Sequence, residues 1–196
     1  MKNRQLKKII IFISGRGSNM KRIIEECQNG ILKNIAYPVL VFSDNPDAQG
    51  LKIANESGIA TQTINAKERN KNEFNKHLME LLTSIDFDYI ILAGYMKILN
   101  PEIVKKYKNK IINIHPADTN IHQGLRAYNW AFENGLKKTK ITVHYVDENI
   151  DTGKIIAQRE VDLSGCKTIE EVEKRGLAVE HEFYSETLKK IFTNSI

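Results

Sequence analysis

The sequence predicts an α/β fold: one domain spanning residues 1–196, with a mostly parallel, doubly wound sheet and helices on both faces. Three observations lead there. Strand-like β-branched runs alternate with helix-patterned stretches, as in repeated βαβ units. The first run, KKIIIFIS at 7–14, is apolar without a break and ends in glycines, which marks a strand buried on both faces. A chain of 196 residues, 41% hydrophobic and 27% charged, suits one compact soluble domain that buries roughly 70% of its unfolded surface.

Taken in order, the first strand is followed by a helix pattern from Ser18, with Met20, Ile23, Ile24 and Cys27 on one face and a stop near QNG. Further strands read at 35–43, 60–64, 87–94, 110–115, 140–146 and 154–163. Helix patterns read at 47–57, 70–84, 101–107, 124–134 and 168–192. Pro38, inside the second strand, lacks a backbone donor and predicts a bulge or an edge there. No repeat, low-complexity tract or linker divides the chain.

Composition narrows the classes of function. No apolar run approaches the ~20 residues of a membrane span, and the amino-terminal run is too short and strand-like for a signal peptide. Cys27 and Cys166 have neither C-x-x-C spacing nor a framework count, so reduced thiols in a cytoplasm are expected. The net charge of +5 comes from scattered lysines rather than a basic stripe interleaved with aromatics, which points away from nucleic acid and toward a small anionic substrate.

Ligands of such sheets bind at the carboxyl ends of strands, so the residues there matter most. SGRGSN at 14–19 joins the first strand to the first helix. Gly15 and Gly17 permit positive φ, Ser18 and Asn19 can cap the helix, and the free N–H groups attract phosphate. Position 20 is Met rather than a third glycine and Asp44 lies too far downstream, so a single phosphate is expected rather than a dinucleotide. LAGYMKILNP at 92–101 puts Met96, Ile98 and Leu99 in a loop at the same edge, where they either cover core or line a pocket for a flat ring.

NIHPADTNIHQG at 113–124 and VHYVDENIDTGKI at 143–155 supply titratable groups. Asn113 and His115 alternate at the end of the fifth strand and so face one side. His144 falls in the sixth strand and Asp151 in the turn after it. An Asn amide can donate to a developing oxyanion, a His can carry a proton, and a buried Asp can steady that His. His115 alone also reads as a hydrogen-bonded strand-end histidine. His115, Asp118 and His122 are close in sequence, but neither H-E-x-x-H nor a cysteine cluster is present and no metal is expected. No G-x-S-x-G turn supports a hydrolase triad.

In this order, ISGRGSNM, VFSDNPDAQGL, ILAGYMKILNPEIV, IINIHP, AFENG and TVHYVDENIDTGKII resemble the phosphoribosylglycinamide formyltransferases, the folate-dependent enzymes of purine synthesis. The likeness runs from residue 7 to about 185. N-x-H with a later D-x-G is common to the wider folate formyltransferases, and S-G-x-G-S-N narrows the match. The resemblance implies a Rossmann-like, formyltransferase-type sheet. It implies that Gly15, Arg16, Gly17, Ser18 and Asn19 hold the 5′-phosphate of glycinamide ribonucleotide, with Glu180 near its ribose. Met96, Lys97, Ile98 and Leu99, with Val104, Ile111 and the 146–151 turn, would hold the pterin of the co-substrate 10-formyltetrahydrofolate, and Lys71 would meet the folate tail.

Asn113, His115 and Asp151 would be catalytic. The neutral glycinamide amine adds to the formyl carbon; Asn113 and protonated His115 stabilise the oxyanion; Asp151 keeps His115 charged and relays the proton through water to the departing nitrogen.

The chain departs from the family after NIHP. The usual Ser-Leu-Leu-Pro, basic, aromatic, Pro-Gly becomes Ala117 to Gln123 followed by Gly124, and Arg126 stands where a histidine is common. Asp118 would then attract a cationic amine and Arg126 a phosphate or carboxylate, which leaves the acceptor open. Another amine, such as an amino sugar nucleotide, is one alternative; a non-catalytic nucleotide-phosphate sensor is another. The methionyl-tRNA enzymes and the formyltetrahydrofolate hydrolases are disfavoured by length. Both expected partners are small molecules, and a homodimer is compatible with a sequence that leaves oligomeric state open.

Overall fold

In the computed structural model, which describes residues 5–195, the described residues form seven strands and six helices. In chain order these are β1 (Lys7–Ile13), α1 (Ser18–Asn29), β2 (Ala36–Ser43), α2 (Gln49–Glu56), β3 (Thr61–Thr63), α3 (Lys71–Ser84), β4 (Tyr89–Leu92), α4 (Pro101–Lys106), β5 (Ile111–His115), α5 (Ala127–Glu133), β6 (Lys138–Tyr145), β7 (Ile155–Asp162) and α6 (Ile169–Phe192). The strands join one sheet in the order β3-β2-β1-β4-β5-β6-β7. β1 to β5 pair in parallel, whereas β6 and β7 run antiparallel to their neighbours. None of the helices is long and apolar enough to cross a membrane.

The unbroken apolar run of β1 is explained by two cores. Ile9, Ile11 and Ile13 face one cluster with Met20 and Ile24 of α1 and with Tyr184 and Leu188 of α6. Ile10 and Phe12 face the other, with Phe74 and Leu78 of α3 and Ile103 of α4. Each fully buried side chain of this size contributes about 1.5–3 kcal/mol, so a central strand with no polar face is the most strongly held part of the sheet.

Pro38 behaves as expected. The register with β1 skips from Ile9↔Pro38 to Ile10↔Leu40, a bulge at Val39, and β3 pairs only with Val41 to Ser43, leaving Pro38 at a local edge. The expected helix at 124–134 begins only at Ala127. Gly124 (φ 83°) and Arg126 (φ 63°) are both left-handed, a conformation no α-helix admits. Several strands are also shorter than their apolar runs, β4 most clearly, because pairing stops where the chain turns toward the cleft.

The chain winds outward from β1 to β3 and returns to β4, so the β1 and β4 ends diverge at the topological switch point. Tyr184, fully buried, reaches that region from α6: its hydroxyl oxygen lies 3.0 Å from each of the carbonyl oxygens of Leu92 and Ile112, to which it can donate. These carbonyls belong to β4 and β5 just ahead of the site residues. Tyr184→Phe leaves two buried acceptors with less than they need. It is expected to lower the unfolding free energy by about 1–2 kcal/mol and the melting temperature by about 2–8 °C. Urea denaturation of the variant checks this, and a change below about 0.3 kcal/mol would contradict the role given to the hydroxyl.

Candidate active site

A cleft of about 620 Å³ opens at the switch point, and Gly15 to Asn19, Met96 to Leu99, Asn113, His115, Asp151 and Glu180 all line it. On one side is the loop from β1 to α1. Gly17 takes φ 74° and packs against Gly50 of α2; an added Cβ would come within 2.9 Å of Gly50 Cα. Gly15 has no such constraint, since a Cβ there meets nothing. The expected cap by Ser18 or Asn19 is absent: Gly17 is the N-cap, with no side-chain hydrogen bond, and Asn19 donates instead to Glu180. The first-turn N–H groups of α1 are therefore uncapped at the cleft wall, as a phosphate-binding helix end requires.

At the cleft floor, β5 brings Asn113 and His115 to one face, and antiparallel β6 places His144 directly across from Asn113. Asp151 comes from the turn between β6 and β7, at φ 52°. Gly153 makes that turn feasible, because a Cβ there would lie 1.7 Å from the Tyr145 carbonyl; this accounts for the D-x-G spacing. Asp151 Oδ1 accepts from Asn113 Nδ2 at 3.2 Å and lies 3.4 Å from His144 Nε2. Its Oδ2 accepts from the Gly124 N–H at 2.9 Å and lies 3.3 Å from His115 Nδ1.

Carbonyl partners place one proton on each ring, since a carbonyl can only accept. His115 Nε2–H donates to His122 O at 3.1 Å, and His144 Nδ1–H donates to Tyr145 O at 2.9 Å. His144 Nε2 lies 3.2 Å from Asn113 Nδ2. Each ring thus has one nitrogen anchored to backbone and the other turned toward Asp151.

Burial pushes the His115 imidazole down; the Asp151 carboxylate and the bond to His122 push it up, His144 and His122 push it down, and burial prevails. Burial pushes the Asp151 carboxyl up, but hydrogen bonding from His144, the nearby His115 and the Gly124 N–H outweigh it and leave it below the usual carboxylate range. The ligand-free site at neutral pH therefore pairs a carboxylate with a neutral His115. Asp151 raises the His115 imidazole, as expected of it, but by less than burial lowers it in this site. The ring is 5% exposed, and the cost of burying an imidazolium exceeds what one carboxylate returns.

The atypical loop is held by its own polar contacts. Asp118 accepts from Lys140 Nζ at 2.8 Å and Gln158 Nε2 at 3.1 Å, both on the β6–β7 ribbon, and Thr142 Oγ1 donates to Ala117 O at 2.7 Å. Asp118 is thus committed to Lys140 and does not line the cleft, contrary to the expectation that it attracts a cationic amine. His122 stacks on Trp130, centroids 4.8 Å apart. Arg126 does line the cleft, exposed. Among the described residues no three His, Cys, Asp or Glu side chains gather in a metal-binding arrangement.

Met96 (60% exposed), Ile98 (66%), Leu125 (63%) and Ile150 (47%) also line the cleft as exposed apolar side chains, and the Met96 N–H donates to Ser14 Oγ at 2.9 Å beside the first loop. Such exposure is unusual for large side chains and marks a surface that receives an apolar face. Val104 and Ile111 lie outside the lining, buried in the second core with Leu99, and Lys71 stands exposed at the start of α3, also outside it. Sequence reasoning passed over Leu125, Tyr128, Asn129, Glu173 and Leu177, all of which line the cleft. Their signal was faint, because they sit on α5, α6 and the turn before α5, which periodicity assigns to packing.

A family model described as formyl transferase matches residues 7–188. The phosphoribosylglycinamide formyltransferase of Haemophilus influenzae is 37% identical over 185 residues, 94% of this chain and 86% of that protein. The protein of that name from Bacillus subtilis is 35% identical, with 95% of each chain covered. The crystal structure of glycinamide ribonucleotide transformylase 1 from Symbiobacterium toebii superposes with a TM-score of 0.90 at 32% identity, covering 96% of this chain and 89% of that one.

The trio has a signature in pH. A folded imidazole held below its ordinary value of 6.5 binds fewer protons than the unfolded chain, so its contribution to stability is complete above 6.5 and is lost as pH falls below it. Asp151, depressed from 3.8, adds a second loss as pH falls through its folded value. The His115 ring protons, followed by NMR, are expected to titrate with a midpoint below 6.5. Asp151→Asn is expected to move that midpoint lower still; an upward movement would contradict this electrostatic account.

Proposed function

The chain belongs to the formyl transferase family, and on that premise we propose that it transfers the formyl group of 10-formyltetrahydrofolate to the amine of glycinamide ribonucleotide in purine synthesis. The observation that carries this reading is the convergence of Asn113, His115 and Asp151 in one cleft that the start of α1 and exposed apolar side chains also line. The uncapped start of α1 suits the phosphate of the acceptor. The exposed apolar side chains of Met96, Ile98, Leu125 and Ile150 suit the flat pterin of the donor.

The acceptor amine is neutral at the moment of attack. As its nitrogen bonds to the formyl carbon, the carbonyl pair moves onto oxygen, and N–H groups of Asn113 and His115 are the donors placed to receive that charge. His115 gives up its bond to the His122 carbonyl to do so, and the new negative charge beside the ring offsets the burial that keeps it neutral. Asp151 is the carboxylate within reach of the proton that the attacking nitrogen must lose. Through water it passes that proton to the folate nitrogen, which leaves as the carbon–nitrogen bond breaks. Asn113 donates to Asp151 in the free protein, so substrate must displace that bond. Cys27 is buried and Cys166 half-buried, neither in the cleft, as a cytoplasmic enzyme with reduced thiols would have them.

A direct assay follows loss of the formyl group from 10-formyltetrahydrofolate with and without glycinamide ribonucleotide. Turnover that requires the ribonucleotide is expected. Turnover without any amine would indicate a hydrolase, and absence of folate binding would indicate a phosphate sensor. Asn113→Ala and Asp151→Asn are each expected to lower kcat by on the order of 100- to 1,000-fold. Losses under about threefold would remove them from the mechanism.

A further inference from the structure

Tyr128 of α5 occupies a notch in α6 that exists because residue 176 is glycine. A Cβ added at Gly176 would lie 2.2 Å from the Tyr128 hydroxyl oxygen and 2.3 Å from Cε1 and Cζ, so no larger residue fits while the ring is there. Glycine within a helix is disfavoured relative to alanine, and α6 is a helix of 24 residues with Gly176 well inside it. The ring and the missing side chain are therefore matched. One turn along the same face stands Glu180, and the Tyr128 hydroxyl donates to its Oε1.

Glu180 is 5% exposed and forms no ion pair among the described residues. Its Oε2 accepts from Asn19 Nδ2 at 2.6 Å. Both oxygens are thus fixed by neutral donors, and a carboxylate with about four acceptor positions retains two. Asn19, 7% exposed, has a buried Oδ1 with no partner. All of Asn19, Tyr128 and Glu180 line the cleft. Asn19 also belongs to the first turn of α1, so the uncapped helix end and the buried carboxylate are separated by one side chain. A ligand that put a phosphate on the helix end would carry its next few atoms to Glu180. Those atoms must donate hydrogen bonds, because an anion or an acceptor there would be repelled.

We propose that Tyr128 is a positioning and specificity-determining residue for the acceptor: seated over Gly176, it fixes the Glu180 carboxylate so that vicinal hydroxyls of a phosphorylated sugar donate to it. This rests on the reading that the acceptor is a ribonucleotide, and it adds a residue and a helix notch to that reading. Burial pushes the Glu180 carboxyl up, and the bonds from Tyr128 and Asn19 pull it down, so losing the Tyr128 hydroxyl favours the protonated form, which accepts less, as well as loosening the group.

The test compares wild type, Tyr128→Phe and Gly176→Ala with glycinamide ribonucleotide and its 2′,3′-dideoxy analogue at saturating 10-formyltetrahydrofolate. For Tyr128→Phe, KM for the ribonucleotide is expected to rise about 10- to 100-fold, the range for a hydrogen bond to a charged group. KM for the formyl donor is expected to stay within about twofold, and the preference for the ribonucleotide over the dideoxy analogue to fall at least about tenfold. Gly176→Ala, which expels the ring, is expected to give the same split. Should the variants fold poorly, wild type alone still answers: it is expected to bind ribose 5-phosphate at least about tenfold more tightly than 2,3-dideoxyribose 5-phosphate. Equal binding of those two sugars overturns the proposal. So does a Tyr128→Phe variant with unchanged discrimination, or one whose KM values for both substrates rise together. In that case an active wild type leaves the ribonucleotide reading standing, whereas a wild type inactive on the ribonucleotide removes both.

Discussion

The carboxylate of Asp151 is where four separately positioned parts of the chain meet. β5 contributes Asn113 and His115, β6 contributes His144, the atypical loop contributes the Gly124 N–H, and the β6–β7 turn contributes the carboxylate itself. A carboxylate half-removed from water is tolerated only when its oxygens are occupied. Each of these partners is therefore constrained by the others. Displacing the turn by an ångström would leave a buried charge short of donors and two imidazole nitrogens without a counterpart.

Burial and charge are opposed at this point, and burial prevails at His115. The ring rests neutral, with its outer N–H on the His122 carbonyl. That arrangement holds the ring in place in the free protein through a neutral donor. The same logic applies at Glu180, where neutral donors rather than a cation fix a buried carboxylate. Neither carboxylate is cancelled by a permanent positive charge.

The loop from Ala117 to Gly124 takes its rigidity from polar contacts. Asp118 is tied to Lys140 and Gln158, the Ala117 carbonyl is tied to Thr142, and His122 is stacked on Trp130. Its partners are on the β6–β7 ribbon and α5, so it is braced from beneath and beside the cleft. Of the polar residues that looked free to select a substrate, Asp118 is occupied in holding the loop, whereas Arg126 faces the cleft.

Fold class, strand order of appearance and the pairing of Asn113 with His115 on β5 were legible in the sequence because they follow from local periodicity. Continuous apolar runs mark strands covered on both sides, and alternation places Asn113 and His115 on one face. Pro38 announced its bulge for an equally local reason, the missing N–H. What tertiary structure alone decided depends on contacts across the chain. His144 stands opposite Asn113 only because β6 turns antiparallel. Asp118 meets Lys140 across the ribbon. Tyr128 finds Glu180 through a notch left by a glycine 48 positions away. The charge on His115 was the furthest from reach, since it depends on how deeply the ring is buried, and burial is a property of the assembled fold rather than of any stretch within it.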